Sequence, residues 1–404
     1  MSSRIVIVGA GQAGLSLAQR LRALGHDGPI TLIGEEPVPP YQRPPLSKAY
    51  LKREAGIDRL LLRPQSFFAE AGIELLTGVR VEAIDRSARI VRAGDARIPY
   101  DKLALATGAA PRTLPAAIGG ALPGVHVLRN LADADGLAPA LRPGRRALIV
   151  GGGYIGLEAA AVCAALGLSV TLIEAAPRIL GRVACAETAD WFRDLHRSHG
   201  VEIREGVGLA RLGGTTQLTG AELADGSRIA ADLAIVGIGV SPATNLAAAA
   251  GLTIDNGIAT DATGRTADPA IWAAGDCASF PGPGGRMRLE SVQNAIDMAE
   301  AVAADMMGEG APYAPVPWFW SDQFDAKLQI AGLGAGHDRI VVREATGKGG
   351  GRSHWYFRAG TLLAVDAIND PRAYMVGKRL LEAGRTPDAA LLADPATNLR
   401  ALLG

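Results

Sequence analysis

The sequence predicts an α/β protein of two doubly wound units followed by a smaller C-terminal α+β domain, and three observations support that reading. Residues 4–35 and 146–174 repeat one pattern: an apolar run, a glycine-rich turn, a helix-length segment, a second β-rich run and an acidic residue. The 404 residues are too many for one core at about 150 residues per domain. After Tyr313 the texture changes to an aromatic, proline-rich stretch followed by alternating strand-like runs.

In the first copy the apolar run 5–8 is long enough for a buried parallel strand and ends in GAGQAG, with Gly9, Gly11 and Gly14 in the G-x-G-x-x-G spacing. That spacing needs one glycine for the tight turn, one for approach of a pyrophosphate and one for close helix packing. The following helix turns its amino terminus to the phosphates, where its dipole favours anions. The run 30–33 is the next strand, and Glu35 is the acid expected on an adenosine ribose. The second copy repeats this with 147–150, Gly151, Gly153, Gly156, 170–173 and Glu174. One such match alone is weak, but two complete Rossmann-like units imply two dinucleotide sites. Two dinucleotides in one chain point to hydride transfer between a bound flavin and a diffusing nicotinamide. Ala175 and Ala176 follow Glu174, so NADH is favoured over NADPH, with Arg178 the nearest cation in sequence.

Between and beyond the cradles, 37–45 is proline-rich, and Ser47 is placed to start a helix over 48–53. KLALATG at 102–108 reads as a buried strand breaking into a turn, and 110–123 as a linker. The alanine-rich segment 159–168 suits a crossover helix packed close to its sheet. ADLAIVGIG at 231–239 and IWAAGD at 271–276 are strands ending in glycine, expected to return to the first sheet. Strands follow at 327–333, 354–357 and 362–368, with a hairpin turn at 358–361, and Asp370 and Pro371 start a helix. The expected domains are 1–109 with 237–314 for the flavin, 110–236 for NADH and 315–404 at the C-terminus.

Lysine plus arginine is 41 and aspartate plus glutamate is 41, so bulk charge gives no reason to expect nucleic acid or an anionic membrane as partner. No apolar run approaches the roughly 18 residues that span a bilayer, and the first strand leaves no room for a signal peptide, so the expected location is cytoplasmic. Cys163, Cys185 and Cys277 lie too far apart for a C-x-x-C pair, and the histidines lack paired spacing, so no metal is expected.

GAGQAG at Gly9, RPPLSK at 43–48, ATG at Ala106, GGGYIGLE at 151–158, VGIGVSP at Val236, AAGDC at Ala273 and ESVQNA at Glu290 span nearly the whole chain. Together they resemble the FAD-dependent ferredoxin reductases of oxygenase systems, whose fold is glutathione-reductase-like. The resemblance implies flavin contacts at Gly9, Gly11, Gly14, Glu35, Arg43, Lys48, Ala106, Asp276, Val292 and Trp320. It implies nicotinamide-side contacts at Gly151, Gly153, Tyr154, Ile155, Gly156, Glu158, Glu174 and Gly239. It also pairs Glu158 with Lys48 as the catalytic pair, positioning the two rings and tuning the flavin.

Each assignment has a plainer alternative. Asp276 can accept from ribityl hydroxyls or cap a helix. Lys48 can place a cation at the flavin edge or be a solvated lysine. Glu158 suits a first helical turn in any case. Trp320 can face the flavin or fill a core, and Trp318 is the weaker candidate.

The segment where disulfide reductases carry a cysteine pair here reads Arg43, Pro44, Pro45, Leu46, Ser47, Lys48, which disfavours disulfide and peroxide reduction. The expected acceptor is a two-iron two-sulfur ferredoxin feeding an oxygenase, docked transiently and electrostatically. Arg339, Arg343, Lys348, Arg352 and Arg358 are candidates for that contact, as are Arg145, Arg146, Arg286 and Arg288. Monodehydroascorbate or rubredoxin reduction, or an apoptosis-inducing-factor-like NADH sensor, are the alternatives.

Overall fold

Ile5–Val8 is buried at all four positions because it is the central strand of a five-stranded parallel sheet. Lys102–Leu105 and Ile30–Ile33 flank it, with Ile271–Ala273 and Ile73–Leu76 at the edges. Strands covered on both faces need no alternation, which is why these runs are continuously apolar. In the computed structural model, residues 2–282, 284–345 and 351–403 are described. The chain divides into two compact units, residues 1–43, 56–110 and 240–315 in the first and 44–55, 111–239 and 316–404 in the second.

The first unit covers its sheet with Gln12–Ala23 and Val292–Met306, two helices packed on one another. Ser291 caps the second of these by accepting from Asn294 N at 3.1 Å. The second unit repeats the parallel design in the order Glu202–Glu205, Ser169–Glu174, Arg146–Val150, Leu233–Val236, Val125–His126. Here one expectation is corrected. Leu233–Val236 pairs with Arg146–Val150 and stays in the second sheet, and only Ile271–Ala273 returns to the first. Both runs are short, apolar and closed by glycine, so their pattern does not say which sheet they join.

The second unit also holds an antiparallel sheet in the order Trp318–Gln323, Ala326–Gly332, Thr361–Ile368, Arg352–Arg358, Arg339–Glu344. Trp318–Gln323 and Arg339–Glu344 were not foreseen as strands, the first lying in what reads only as an aromatic, proline-rich stretch. Pro371–Glu382 lies on this sheet so closely that a Cβ at Gly377 would meet Val365 Cγ1 at 2.4 Å. Asp370 caps it as expected, accepting from Ala373 N at 3.0 Å. The helix expected over 48–53 does not form. Pro44–Ser47 is one 3₁₀ turn followed by further turns, and the Ser47 hydroxyl is used elsewhere instead of capping.

Ala186–Ser198 is tied to the antiparallel sheet by buried polar groups. Thr188 Oγ1 bonds His354 Nδ1 at 2.6 Å and donates to Asp366 Oδ2 at 2.7 Å, and Tyr356 also donates to Asp366. Ligand atoms of Cys185, His354 and Asp366 lie within 4.8 Å of one another, a juxtaposition that sequence spacing did not reveal. The Thr188 hydroxyl is bonded to all three, with Cys185 Sγ at 3.3 Å, and takes the central position a cation would need.

Burial holds His354 down at about 4 and raises Asp366 to about 6. Below the usual histidine value of 6.5 the unfolded chain takes up a proton that folded His354 refuses, so stability falls as pH falls towards about 4. Asp366 opposes this, because its folded carboxyl binds a proton before the unfolded one does. Urea unfolding at about pH 7 and about pH 5 should therefore show a smaller acid loss in His354→Asn than in the wild type. Equal losses would contradict the burial argument.

Candidate functional site: two dinucleotide cradles and a buried ion pair

In the first unit the chain's own packing requires glycine at two of the three fingerprint positions. Gly9 has φ +115°, and a Cβ there would lie 2.1 Å from the Ala106 carbonyl oxygen. A Cβ at Gly14 would lie 1.9 Å from the Gly9 carbonyl oxygen. At Gly11 it would meet nothing within 4 Å, so the chain's own packing does not demand glycine there. The open space lies at the start of Gln12–Ala23, where unpaired backbone amides can receive a pyrophosphate. Ala106 N donates to Val8 O at 2.8 Å and sets this loop against Gly9.

The turn Gly275–Cys277 carries Asp276 between two helix starts, since a Cβ at Gly275 would meet those of Ala13 at 3.0 Å and Ala295 at 3.9 Å. Val292 opens the second of those helices, so Asp276, Val292 and the glycine loop gather on one side of the unit. Glu35 is 68% exposed and pairs with Arg80 at 3.0 Å, a surface contact worth little that leaves its carboxylate accessible to a ribose. Arg43 is held by Glu36 at 2.6 Å and lies over Tyr41.

The second unit repeats the geometry. A Cβ at Gly151 would lie 2.5 Å from Gly237 O and one at Gly156 2.0 Å from Gly151 O, while Gly153 again meets nothing within 4 Å. Ile155 is 41% exposed on the cradle helix Tyr154–Ala165, and Ile238 is 37% exposed on the loop beside Gly151. They give this cradle an apolar surface. Gly239 has φ +99°, with Arg182 nearby. Glu174 accepts from Gly152 N and Ala176 N, each at 2.7 Å, and so braces the glycine loop as well as offering a carboxylate. Arg178 donates to Cys185 O at 3.0 Å and is committed there.

Lys48 and Glu158 are brought together in this same unit, with Lys48 Nζ 3.1 Å from Glu158 Oε1 and 3.6 Å from Asp322 Oδ2. Glu158 is buried, and Ser47 donates to its Oε2 at 2.9 Å and Ser321 to its Oε1 at 2.8 Å. A buried carboxylate with a cation and two hydroxyls is satisfied, whereas removing one member of such a pair costs about 3–5 kcal/mol. The pairing comes from matching periods. Tyr154 and Glu158 are one helical turn apart, Phe319 and Ser321 share one strand face, and the Tyr154 and Phe319 rings meet edge-on at 4.9 Å. Trp320 lies on the other strand face, half-buried, its ring 6.0 Å from that of Trp318. Trp318, also half-buried, packs against Tyr374 and beneath Lys378 at the edge of the C-terminal core.

Residues 3–299 match the pyridine nucleotide-disulphide oxidoreductases, and residues 318–403 match the reductase C-terminal family. The chain is 44% identical over 396 residues to rhodocoxin reductase of Rhodococcus erythropolis, covering 96% of this chain and 92% of that one. It is 39% identical to putidaredoxin reductase of Pseudomonas putida, covering 100% and 97%. The chain belongs to the ferredoxin reductases among the pyridine nucleotide-disulphide oxidoreductases. Solved structures share the fold, two of them at about 40% identity. The ferredoxin reductase for the CYP199A2 system from Rhodopseudomonas palustris gives a TM-score of 0.95 at 40% identity, covering 99% of this chain and 100% of that one. The putidaredoxin reductase in a covalent complex with putidaredoxin gives 0.94 at 39%, covering 99% and 98%.

Several basic residues of this reductase that were considered for docking are occupied. Arg343 is buried and donates to the carbonyls of Leu392, Asp394, Pro395 and Thr397, so it anchors the C-terminal segment. Arg352 pairs with Glu344, Arg146 with Asp232 and Arg288 with Glu290. Arg145 and Arg286 donate to backbone carbonyls. Arg339 and Arg358 are exposed at strand ends, and Lys348 lies outside the described residues. Sequence reasoning missed Ser47, Ser321 and Asp322 beside the ion pair, and Arg80 beside Glu35. Ser47 lies in RPPLSK but reads as a helix start, and Ser321 does not stand out in the sequence; their part beside the ion pair is found by their contact with Glu158.

The glycine geometry gives a discriminating pair of variants. Gly156→Ala forces a Cβ into Gly151 O and should destabilise by about 1–3 kcal/mol. Gly153→Ala has room in the chain and should cost under about 1 kcal/mol, yet raise the Kd for NADH on the order of 10-fold by blocking a phosphate. Wild-type NADH affinity in Gly153→Ala would contradict the cradle assignment.

Proposed function

We propose that this chain takes hydride from NADH onto FAD and passes electrons singly to a two-iron two-sulfur ferredoxin that serves an oxygenase. The carrying observation is the pair of cradles, each with one glycine that the chain's own packing does not require and that leaves room at a helix start, on a chain whose three cysteines are separate, buried thiols. Burial raises the thiol of Cys163 to about 12 and those of Cys185 and Cys277 above their usual value, so none is poised as a nucleophile. The relatives' names point the same way, since they include ferredoxin reductase components of anthranilate and biphenyl dioxygenase systems. Among the described residues no helix is long and apolar enough to cross a membrane.

Gly9, Gly11, Gly14 and Ala106 would hold the FAD pyrophosphate, Glu35 its ribose, and Arg43, Asp276, Val292 and Trp320 the remainder. Gly151, Gly153, Gly156 and Gly239 would cradle NADH, with Glu174 on its ribose and Tyr154 and Ile155 on its apolar side. Bound FAD joins a two-electron donor to a one-electron acceptor, which is the chemistry it supplies here. Glu158 holds the Lys48 ammonium in place, and Lys48 offers that charge where negative charge develops on reduction. Neither residue needs to exchange a proton for the hydride to move. Their work is orientation and field.

Anaerobic stopped-flow of the yellow protein with NADH, followed by mixing with a two-iron two-sulfur ferredoxin, tests the reading. Fast loss of yellow absorbance and fast ferredoxin reduction are expected, and Lys48→Met should slow the first step by about 100-fold. Fast bleaching without ferredoxin reduction would contradict the proposed acceptor, and an unaffected Lys48→Met would remove Lys48 from the site.

A further inference from the structure

Behind Glu158 runs a line of buried polar side chains that packing alone does not require. Ser321 Oγ donates to Glu158 Oε1 at 2.8 Å, Gln323 Nε2 donates to Ser321 Oγ at 3.1 Å, and His196 Nε2 lies 2.8 Å from Gln323 Oε1. Ser321, Gln323 and His196 are each 0% exposed. Apolar side chains of similar size would fill this space without the cost of desolvating three polar groups.

With the Gln323 amide nitrogen on Ser321, the protons in this line run one way. Gln323 gives an amide proton to Ser321, so the Ser321 hydroxyl proton is directed to Glu158. The Gln323 carbonyl then faces His196, which must carry its proton on Nε2. His196 Nδ1 is left as a buried lone pair with no partner, as a neutral imidazole requires. Burial holds this histidine at about 4, in keeping with that form. All three donors therefore point towards Glu158, and a line of aligned hydrogen bonds strengthens each member.

The turn after Gln323 is built to keep this register. Phe324 adopts φ +55°, a strained backbone for a bulky residue, and its ring stacks on His199 at 3.8 Å and meets His196 edge-on at 5.0 Å.

We propose that Ser321, Gln323 and His196 are positioning residues for hydride transfer, fixing the orientation of the Glu158 carboxylate and through it the place of the Lys48 ammonium. The inference rests on the reading that Glu158 and Lys48 serve that step. Its distinguishing feature is direction. The far end must donate, whatever the shape of the side chain that does so.

The test measures the limiting rate of flavin bleaching by NADH, and separately the Kd for NADH, in holoprotein variants of matched flavin content. Ser321→Ala should lower the limiting rate on the order of 10-fold, the loss of one hydrogen bond to a charged group, with Kd within about 2-fold. His196→Gln, whose amide can donate from a position close to Nε2, should stay near the wild-type rate, and His196→Met should be slower. Equal slowing of His196→Gln and His196→Met would overturn the proposal in favour of simple packing, as would a wild-type rate in Ser321→Ala. Glu158→Gln separates the two levels. A slow Glu158→Gln beside a wild-type Ser321→Ala removes the relay alone, and a wild-type Glu158→Gln removes the reading of Glu158 together with it. If Ser321→Ala fails to hold flavin, the two His196 variants still decide.

Discussion

A methyl group at Gly14 would sit 1.9 Å from the Gly9 carbonyl oxygen, and one at Gly156 would sit 2.0 Å from that of Gly151. Each cradle helix can start over the end of its strand only because those positions lack a side chain. The close approach aims the helix amino terminus, and with it a row of unpaired amides, at the carboxyl ends of the parallel strands. Everything else in either cradle is placed relative to that contact. Ala106 seats against Gly9 in one unit and Gly237 against Gly151 in the other, and the acidic residue at the end of the neighbouring strand follows from parallel register.

The second constraint is a charge problem. Helix Tyr154–Ala165 packs on its sheet and, on another face, meets strand Trp318–Gln323 and the turn at Ser47, where Glu158 is buried. A buried carboxylate is tolerated only when paired and hydrogen-bonded. Residues 44–55 supply Lys48 and Ser47, and strand Trp318–Gln323 supplies Ser321 and Asp322. Two distant stretches of sequence are thus drawn to one side chain. The paired prolines Pro44 and Pro45 open the 3₁₀ turn that ends at Ser47, with Lys48 the next residue.

Much of this was legible in the sequence because glycine spacing and acid position are local. The fingerprints, both acids, the caps at Asp370 and the hairpin at Ala359 and Gly360 all lie within a few residues of the feature that reports them. What was not legible depends on long-range pairing. Leu233–Val236 and Ile271–Ala273 look alike, and the sheet each joins is settled by its partners. Trp318–Gln323 does not stand out as a strand because Pro315 and Pro317 precede it and its aromatic residues lie on both faces. Arg343 reads as surface charge, but its carbonyl partners lie 49 to 54 residues away. The cluster of Cys185, Thr188, His354 and Asp366 is likewise a product of folding.

The central claim is that the chain holds two separate dinucleotide sites, one retaining FAD and the other admitting NADH. An anaerobic titration of the purified yellow protein with NADH, followed by gel filtration, measures this directly. The account requires complete bleaching at one NADH per flavin, with the flavin still bound after filtration and its colour restored by air. Release of flavin as NADH is added would mean that the two compete for one cradle, and would contradict it.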